Sequence, residues 1–347
     1  MSKKSRNRHR WRGGGFGRFA ALPISFLYRA VIAARNRKFD RFGGKPAGVP
    51  VISVGNITTG GTGKTPMVVE IVRRLRGMGR RPVILTRGYG AERGQLADEV
   101  REFHEAVADT PVIVNADRVA GAATAVRDFG GDCCVMDDGF QHRRLHRDLN
   151  IVLVDALDPW GGARLLPAGR LREPLSSLSR ADLCIVTRFN QVEHNTGMVI
   201  WRDVEQRAGA APVLRAEVCV HFLHNRDGRE VPSETLRGRR VLAVCGLGNP
   251  ATLSETLSSL GATVESLAFR DHRKYTPADV RMITDRAAEF DTDLIVTTRK
   301  DWVKLAPLLD GTRSTCEWLR LDIGVNILDP ANVLDNMLLN LFSQPSG

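Results

Sequence analysis

The sequence predicts an α/β protein: a P-loop NTPase-like parallel-sheet domain joined by a hinge to a smaller α/β domain. Three observations carry that expectation. Short, near-continuous Val/Ile/Leu/Cys runs alternate with helix-like segments, the pattern of strands buried on both faces of a parallel sheet. The stretch VISVGNITTGGTGKTPMVVEIVRRL (residues 51–75) reads as a strand, a glycine turn and a helix. A second strand, Gly-x-Gly turn and helix begin at RRVLAVCGLGNP (residues 239–250). The chain of 347 residues has room for two such units, at about 100–200 residues each.

The elements follow in order. Residues 1–39 hold eleven Lys/Arg and no acidic residue, which equals the whole net charge of +11. The remainder of the chain is balanced, so the basic excess is a property of the N-terminus. That arm runs into FAALPISFLYRAVIAA, an apolar stretch interrupted by Arg29. It is shorter than the ~20 residues a membrane-crossing helix needs. Its cationic flanks and aromatics (Phe16, Phe19, Phe26, Tyr28) suit a helix lying on an anionic lipid surface. A nucleic-acid arm is not expected, because no nucleic-acid module follows. A cleaved signal peptide fits poorly, since no small-residue cleavage site is evident.

Strands are expected at 49–54, 82–86, 111–114, 132–137, 151–155 and 183–187, with helices at 65–78 and 116–129 between them. These define a first domain over 40–207. Residues 208–225 read as a hinge or linker, with 212–225 extended. The second α/β domain is expected over 226–347, ending in a helix at 330–343. The six cysteines are scattered, without a C-x-x-C pair. Neither a zinc site nor a disulfide framework is implied, and most read as small buried hydrophobes in a reducing cytosol.

The glycine turn carries the chemistry. Backbone N–H groups and a helix N-terminus facing outward make an anion site, to which a lysine adds a point charge. Residues Thr58, Thr59, Gly60, Gly61, Thr62, Gly63, Lys64 and Thr65 are the expected ATP-binding stretch. Lys64 would reach the β- and γ-phosphates, and Thr65 would ligate Mg²⁺. The pattern is x-G-G-x-G-K-T, with Thr58 where the common P-loop has its first glycine. A group of switch ATPases shares this variant but carries a lysine where this chain has Thr59. Further on, CCVMDDGFQH ends a strand in Asp137 and Asp138, the Walker B arrangement that positions Mg²⁺ or its waters. Gln141 and His142 follow on the same loop, within reach of substrate or metal. Asp98 and Glu99, in ADEVREF, read locally as a polar loop entering a helix.

Taken together, SVGNITTGGTGKTP, TRGYG, ADEV, DDGFQH, LLPAGRLREP, GLGNP, RDHRKYT and TTRKDWVKL make the chain resemble the tetraacyldisaccharide 4'-kinase family of lipid A biosynthesis. The resemblance implies ATP- and Mg²⁺-dependent phosphorylation of the 4'-hydroxyl of an acylated glucosamine disaccharide 1-phosphate. It also implies work at the cytoplasmic face of the bacterial inner membrane, with the active site between two domains. Asp98 matches the family's base and His272 its dyad partner; Lys64 completes the catalytic set. Thr65, Glu99, Asp137, Asp138 and Gln141 would surround the metal. Arg172, Glu173 and His142 would contact substrate. No obligate protein partner is implied. Here Ala97 and Val100 stand where the family has Gly and Pro. TTRKDW is also similar to the base-reading element of GTPases, with Arg299 in the lysine slot, and ATP is still the nucleotide expected. The rival expectation is a membrane-associated switch ATPase of the deviant Walker A type.

Overall fold

A computed structural model describes residues 15–88, 98–246, 250–270, 273–309 and 316–343. The basic arm through residue 14, the end of TRGYG, His272 and the Gly248–Asn249 turn lie outside these residues. For Asp98 and Glu99 the backbone is described.

The chain opens with helix α1 (Gly15–Phe42). Next come β1 (Val51–Asn56), α2 (Lys64–Gly77), β2 (Pro82–Thr86), α3 (Asp98–Ala106), β3 (Val112–Val114), α4 (Arg118–Phe129), β4 (Cys133–Asp137), β5 (Leu149–Asp155) and β6 (Leu183–Thr187). Helix α5 (His194–Ala208) leads into β7 (Val213–His224) and the short β8 (Glu230–Val231). The second half contains β9 (Arg240–Cys245), α6 (Pro250–Ser259), β10 (Thr263–Ala268), α7 (Pro277–Glu289), β11 (Leu294–Thr298), α8 (Arg299–Leu309), β12 (Glu317–Leu328) and α9 (Val333–Asn340).

Local chemistry explains these boundaries. All six side chains of β1 are buried, as expected of a central strand covered on both faces. Helix α2 buries Met67, Val68, Ile71, Val72 and Leu75, which recur at three- and four-residue spacing, and Arg74 and Arg76 fall in its last turn, where the helix dipole favours cations. Asp117 caps α4 by accepting from the Val119 and Ala120 amides, and Gly130 ends it in the left-handed region. Each fully buried Ile, Leu or Phe of such an element contributes about 1.5–3 kcal/mol.

The strands form one sheet in the order β10-β9-β11-β12-β7-β6-β5-β1-β4-β2-β3, with β8 paired to β7. Every neighbouring pair on this path is parallel except β12 with β7. Two parallel halves are thus joined through one antiparallel seam. This revises the sequence-based division at two places. Much of the expected linker is β7 itself, paired parallel with β6 and antiparallel with β12, so its backbone is held in the sheet. The C-terminal helix also does not stay with the second half. Leu334 and Leu338 of α9, with Val325 and Ile327 of β12, pack into the same core as Met67, Ile71 and Leu75 of α2. The physical reason is length: β12 has twelve residues and carries the chain back over the first half.

Candidate active site

Strands β1 and β4 are parallel neighbours with Val54 opposite Asp137. Their C-terminal ends emerge side by side, at the edge where open α/β sheets bind ligands. The glycine turn leaves β1, and Asp137 and Asp138 end β4.

The turn is braced from outside. Gly60 and Gly63 have φ of 116° and 82°, which a side chain would strain, and a Cβ on Gly60 would lie 2.6 Å from Arg170 Nη2. Arg170 donates to the Thr59 carbonyl from Nε (3.2 Å) and Nη2 (2.7 Å). Arg188 Nη2 donates to the Gly61 carbonyl at 2.6 Å, and Thr187 Oγ1 to that of Thr62 at 3.1 Å. With these carbonyl oxygens engaged by the scaffold, the positive end of α2 is free to face an anion. Thr58 and Thr62 are 4% and 2% exposed, so their side chains pack beneath the turn and what they can offer a phosphate is backbone N–H.

A cavity of about 360 Å³ beside the turn is lined by Lys64, Asp137, Asp138, Gln141, His142 and Arg172. The sequence-predicted residues of two loops and of the LPAGRLRE segment therefore converge. Asp138 lies 3.6 Å from Lys64 Nζ and accepts two hydrogen bonds from Arg172 Nη1, at 2.7 and 2.9 Å. Burial pushes its pKa up, but the Arg172 hydrogen bond and the charges of Lys64 and Arg172 outweigh this and hold the carboxyl below the ordinary range. Asp138 also has φ of 51°, a left-handed conformation unusual for a non-glycine residue and characteristic of functional sites. His142 is held neutral: burial and the charges of Arg118 and Arg144 lower its pKa to about 4. It offers this cavity a neutral imidazole.

The donors fit Mg²⁺, which takes one or two carboxylates together with phosphate oxygens and waters. Asp137 and Asp138 supply the carboxylates. Gln141 commits its Nε2 to the Asn56 carbonyl at 2.8 Å, leaving a buried Oε1 with no hydrogen-bond partner among the described residues. No cluster of three or more His, Cys, Asp or Glu poised for a metal occurs among the described residues. Thr65 lines a different cavity of about 230 Å³, between α2, α3 and the β7–β12 seam. The side chain of Glu99 lies outside the described residues. Asp98 is the first residue of α3, and His272 is outside the description.

Glu173 is corrected. Its side chain is completely buried and accepts from Arg35, Asn36, Ser177 and Arg180, so no surface remains for a substrate. Five further residues line the cavity that sequence reasoning missed: Arg35, Thr86, Arg87, Ala116 and Arg118. Thr86 ends β2 and Arg118 begins α4, and the C-terminal edge of a parallel sheet was a signal that could have found them. Arg35 has no local signal. Five cations face two carboxylates here, a surplus suited to a polyphosphate.

The likeness of TTRKDW to a base-reading loop does not hold. Asp301 is 1% exposed and accepts from the Gly246 amide (2.9 Å), the Tyr275 hydroxyl (3.0 Å) and Thr298 Oγ1 (2.8 Å). Asp301→Ala strands three buried donors and is expected to destabilise the protein by about 3 kcal/mol. Urea unfolding of the variant checks this; an unchanged midpoint would remove Asp301 from the frame.

The fold and site define a nucleotide-binding α/β protein of the phosphoryl-transfer class. The family model described as tetraacyldisaccharide-1-P 4'-kinase matches residues 18–343. The tetraacyldisaccharide 4'-kinase of Syntrophus aciditrophicus is 38% identical over 344 residues, covering 89% of this chain and 91% of the relative. That of Anaeromyxobacter sp. (strain Fw109-5) is 39% identical over 315 residues, covering 85% and 84%. The crystal structure of "apo" form LpxK from Aquifex aeolicus in complex with ATP matches with a TM-score of 0.73 and 31% identity, covering 94% of this chain and 99% of that one. The chain belongs to the tetraacyldisaccharide-1-P 4'-kinase family.

Proposed function

We propose that this protein transfers the γ-phosphoryl group of ATP to the 4'-hydroxyl of an acylated glucosamine disaccharide 1-phosphate, the precursor of lipid A. The observation that carries the reading is the convergence of Lys64, Asp137, Asp138 and Arg172 on one cavity at the mouth of the glycine turn. Phosphoryl transfer asks a protein mainly for positioning and charge stabilisation. The turn and Lys64 hold the β- and γ-phosphates. Asp137, Asp138, Gln141, Thr65 and Glu99 are the residues that would hold Mg²⁺, which when bound would supply positive charge against that developing on the phosphate oxygens. Asp98 accepts the proton of the sugar hydroxyl as its oxygen bonds to phosphorus, and ADP departs. An aspartate with an ordinary pKa of about 3.9 is a weak base at neutral pH, and His272 serves as the partner that orients it and shares the proton. Arg172 stabilises the transferring group, and His142 is a neutral hydrogen-bonding contact for substrate.

The test is incubation of the purified protein in detergent micelles with γ-labelled ATP, Mg²⁺ and the lipid. Label in the lipid supports the kinase. ATP hydrolysis indifferent to lipid would favour a switch ATPase, a reading also weakened by Thr59 in place of that group's lysine.

The lipid acceptor is met at a membrane surface. Among the described residues no helix is long and apolar enough to cross a membrane. Helix α1 instead exposes Ile24, Leu27 and Val31, spaced to share one face, together with Phe26. We place the protein peripherally at the cytoplasmic face of the inner membrane, held by residues 1–39 on anionic lipid. Deleting residues 1–38 is expected to release it from anionic liposomes in a flotation assay; unchanged co-flotation would refute the anchor. The two halves are proposed to close by flexing at the antiparallel β7–β12 seam, which takes up most of the 208–225 segment, bringing the second half's His272 to Asp98 when substrates bind.

A further inference from the structure

We propose that Glu173 is a positioning residue: the surface-lying helix α1 clasps its carboxylate and thereby holds the neighbouring Arg172 guanidinium against Asp138. The inference rests on the kinase reading above and assigns helix α1 a part in the chemistry in addition to anchoring.

The contacts converge from two elements. From α1, Arg35 Nη2 donates to Glu173 Oε1 and Asn36 Nδ2 to Oε2 at 2.9 Å. From the helical turn Leu175–Arg180, Ser177 Oγ and Arg180 Nη2 donate to Oε2 at 3.0 and 2.9 Å. Arg180 lies in turn over the Phe140 ring, 4.5 Å from its centroid. A carboxylate with no exposure, engaged by four donors that include two guanidiniums, has a narrow choice of positions. Its backbone neighbour inherits the constraint. The Arg172 amide donates to the Ile57 carbonyl at 2.7 Å, and its own carbonyl accepts from the Tyr28 hydroxyl of α1 at 3.0 Å. Ser25 of α1 secures the start of the same segment, donating to the Leu165 carbonyl and accepting from the Ala168 amide.

The consequence lies at the reacting end. Arg172 Nη1 donates to both carboxylate oxygens of Asp138, and Arg35 lines the same cavity while holding Glu173. Helix α1 is therefore built into the wall of the phosphate cavity. Neutralising Glu173 leaves Arg35 and Arg180 close together without their shared carboxylate, with Arg143 and Arg147 adding charge of the same sign. Their repulsion loosens the clasp. Arg172 then samples orientations away from Asp138, and kcat falls while the ATP-holding turn, braced separately by Arg170 and Arg188, is left in place.

The experiment is a double-mutant cycle in the full-length protein between Glu173→Gln and Arg172→Ala, with Tyr28→Phe as a milder probe from α1. Each variant is read as label transfer to the lipid and as lipid-free ATP hydrolysis, with thermal melting alongside. Glu173→Gln is expected to lower kcat about 10-fold or more with the ATP KM changed by less than about threefold, and Tyr28→Phe to lower kcat by about threefold. In the Arg172→Ala background both are expected to add almost nothing, because residues acting as one unit are non-additive. A residue that only staples the fold would multiply the Arg172→Ala loss in full, and that outcome overturns the proposal. Should Glu173→Gln not fold, Tyr28→Phe, which keeps every charge, decides by the same cycle. If the wild-type protein hydrolyses ATP but leaves the lipid unlabelled, the kinase reading fails and the cycle on hydrolysis still judges the clasp.

Discussion

Asp98→Asn is expected to lower turnover by about 10²–10⁴, the worth of a positioned general base, while ATP affinity stays within about twofold. The amide is nearly isosteric with the carboxylate but cannot take a proton from the sugar hydroxyl at neutral pH. The effect is confined to chemistry because the helix is anchored elsewhere: α3 begins at Asp98, and Val100 and Phe103 are 1% and 0% exposed. Losing one proton acceptor at the first helical residue leaves those contacts in place. Initial rates with labelled ATP in lipid micelles, beside equilibrium ATP binding, separate the two quantities. Normal turnover would remove Asp98 from the mechanism, whereas parallel loss of turnover and ATP affinity would mean that the residue supports the nucleotide site.

How much of this was legible beforehand depended on distance along the chain. Strands β1 to β6 and helices α2 and α4 fall within about two residues of their expected ends, because alternating buried runs, Asp117 and Gly130 are local signals. The meeting of Lys64 with Asp138 followed from topology, since loops at the C-terminal ends of parallel strands share one edge. Glu173 was misread for the opposite reason. Its partners Arg35 and Asn36 are 138 and 137 residues away, and nothing near LREP announces that α1 will cover it. The same holds for Arg35 as a cavity residue and for Arg320, which reaches 215 residues back to Glu105 at 2.8 Å across the two halves. The path of α9 belongs here too, since apolar periodicity predicts that Leu334 and Leu338 are buried but not which half buries them. Sequence periodicity therefore located the elements, and the long-range charge pairs had to be read from the fold.

Lys64→Ala is expected to reduce kcat by about 10²–10³, the typical loss of one preorganised donor to developing charge, and to raise the ATP KM as well. A second effect follows from Asp138. Burial alone would raise its pKa, and the Arg172 hydrogen bond together with the Lys64 and Arg172 charges brings it below the ordinary value. In the wild type the carboxylate therefore stays ionised, and able to hold a cation, to lower pH than an ordinary aspartate would. Removing Lys64 takes away part of that opposition, so protonation begins at higher pH and the acid limb of kcat/KM moves upward. Arg172→Ala removes both a hydrogen bond and a charge, and its limb is expected to lie higher still, with more Mg²⁺ needed at mildly acidic pH. Rate profiles at fixed saturating Mg²⁺ between about pH 4 and 8 test the order wild type, Lys64→Ala, Arg172→Ala. If both variants lose rate while the limb stays put, another group sets it, and the pairing of Asp138 with its two cations does not govern metal capture.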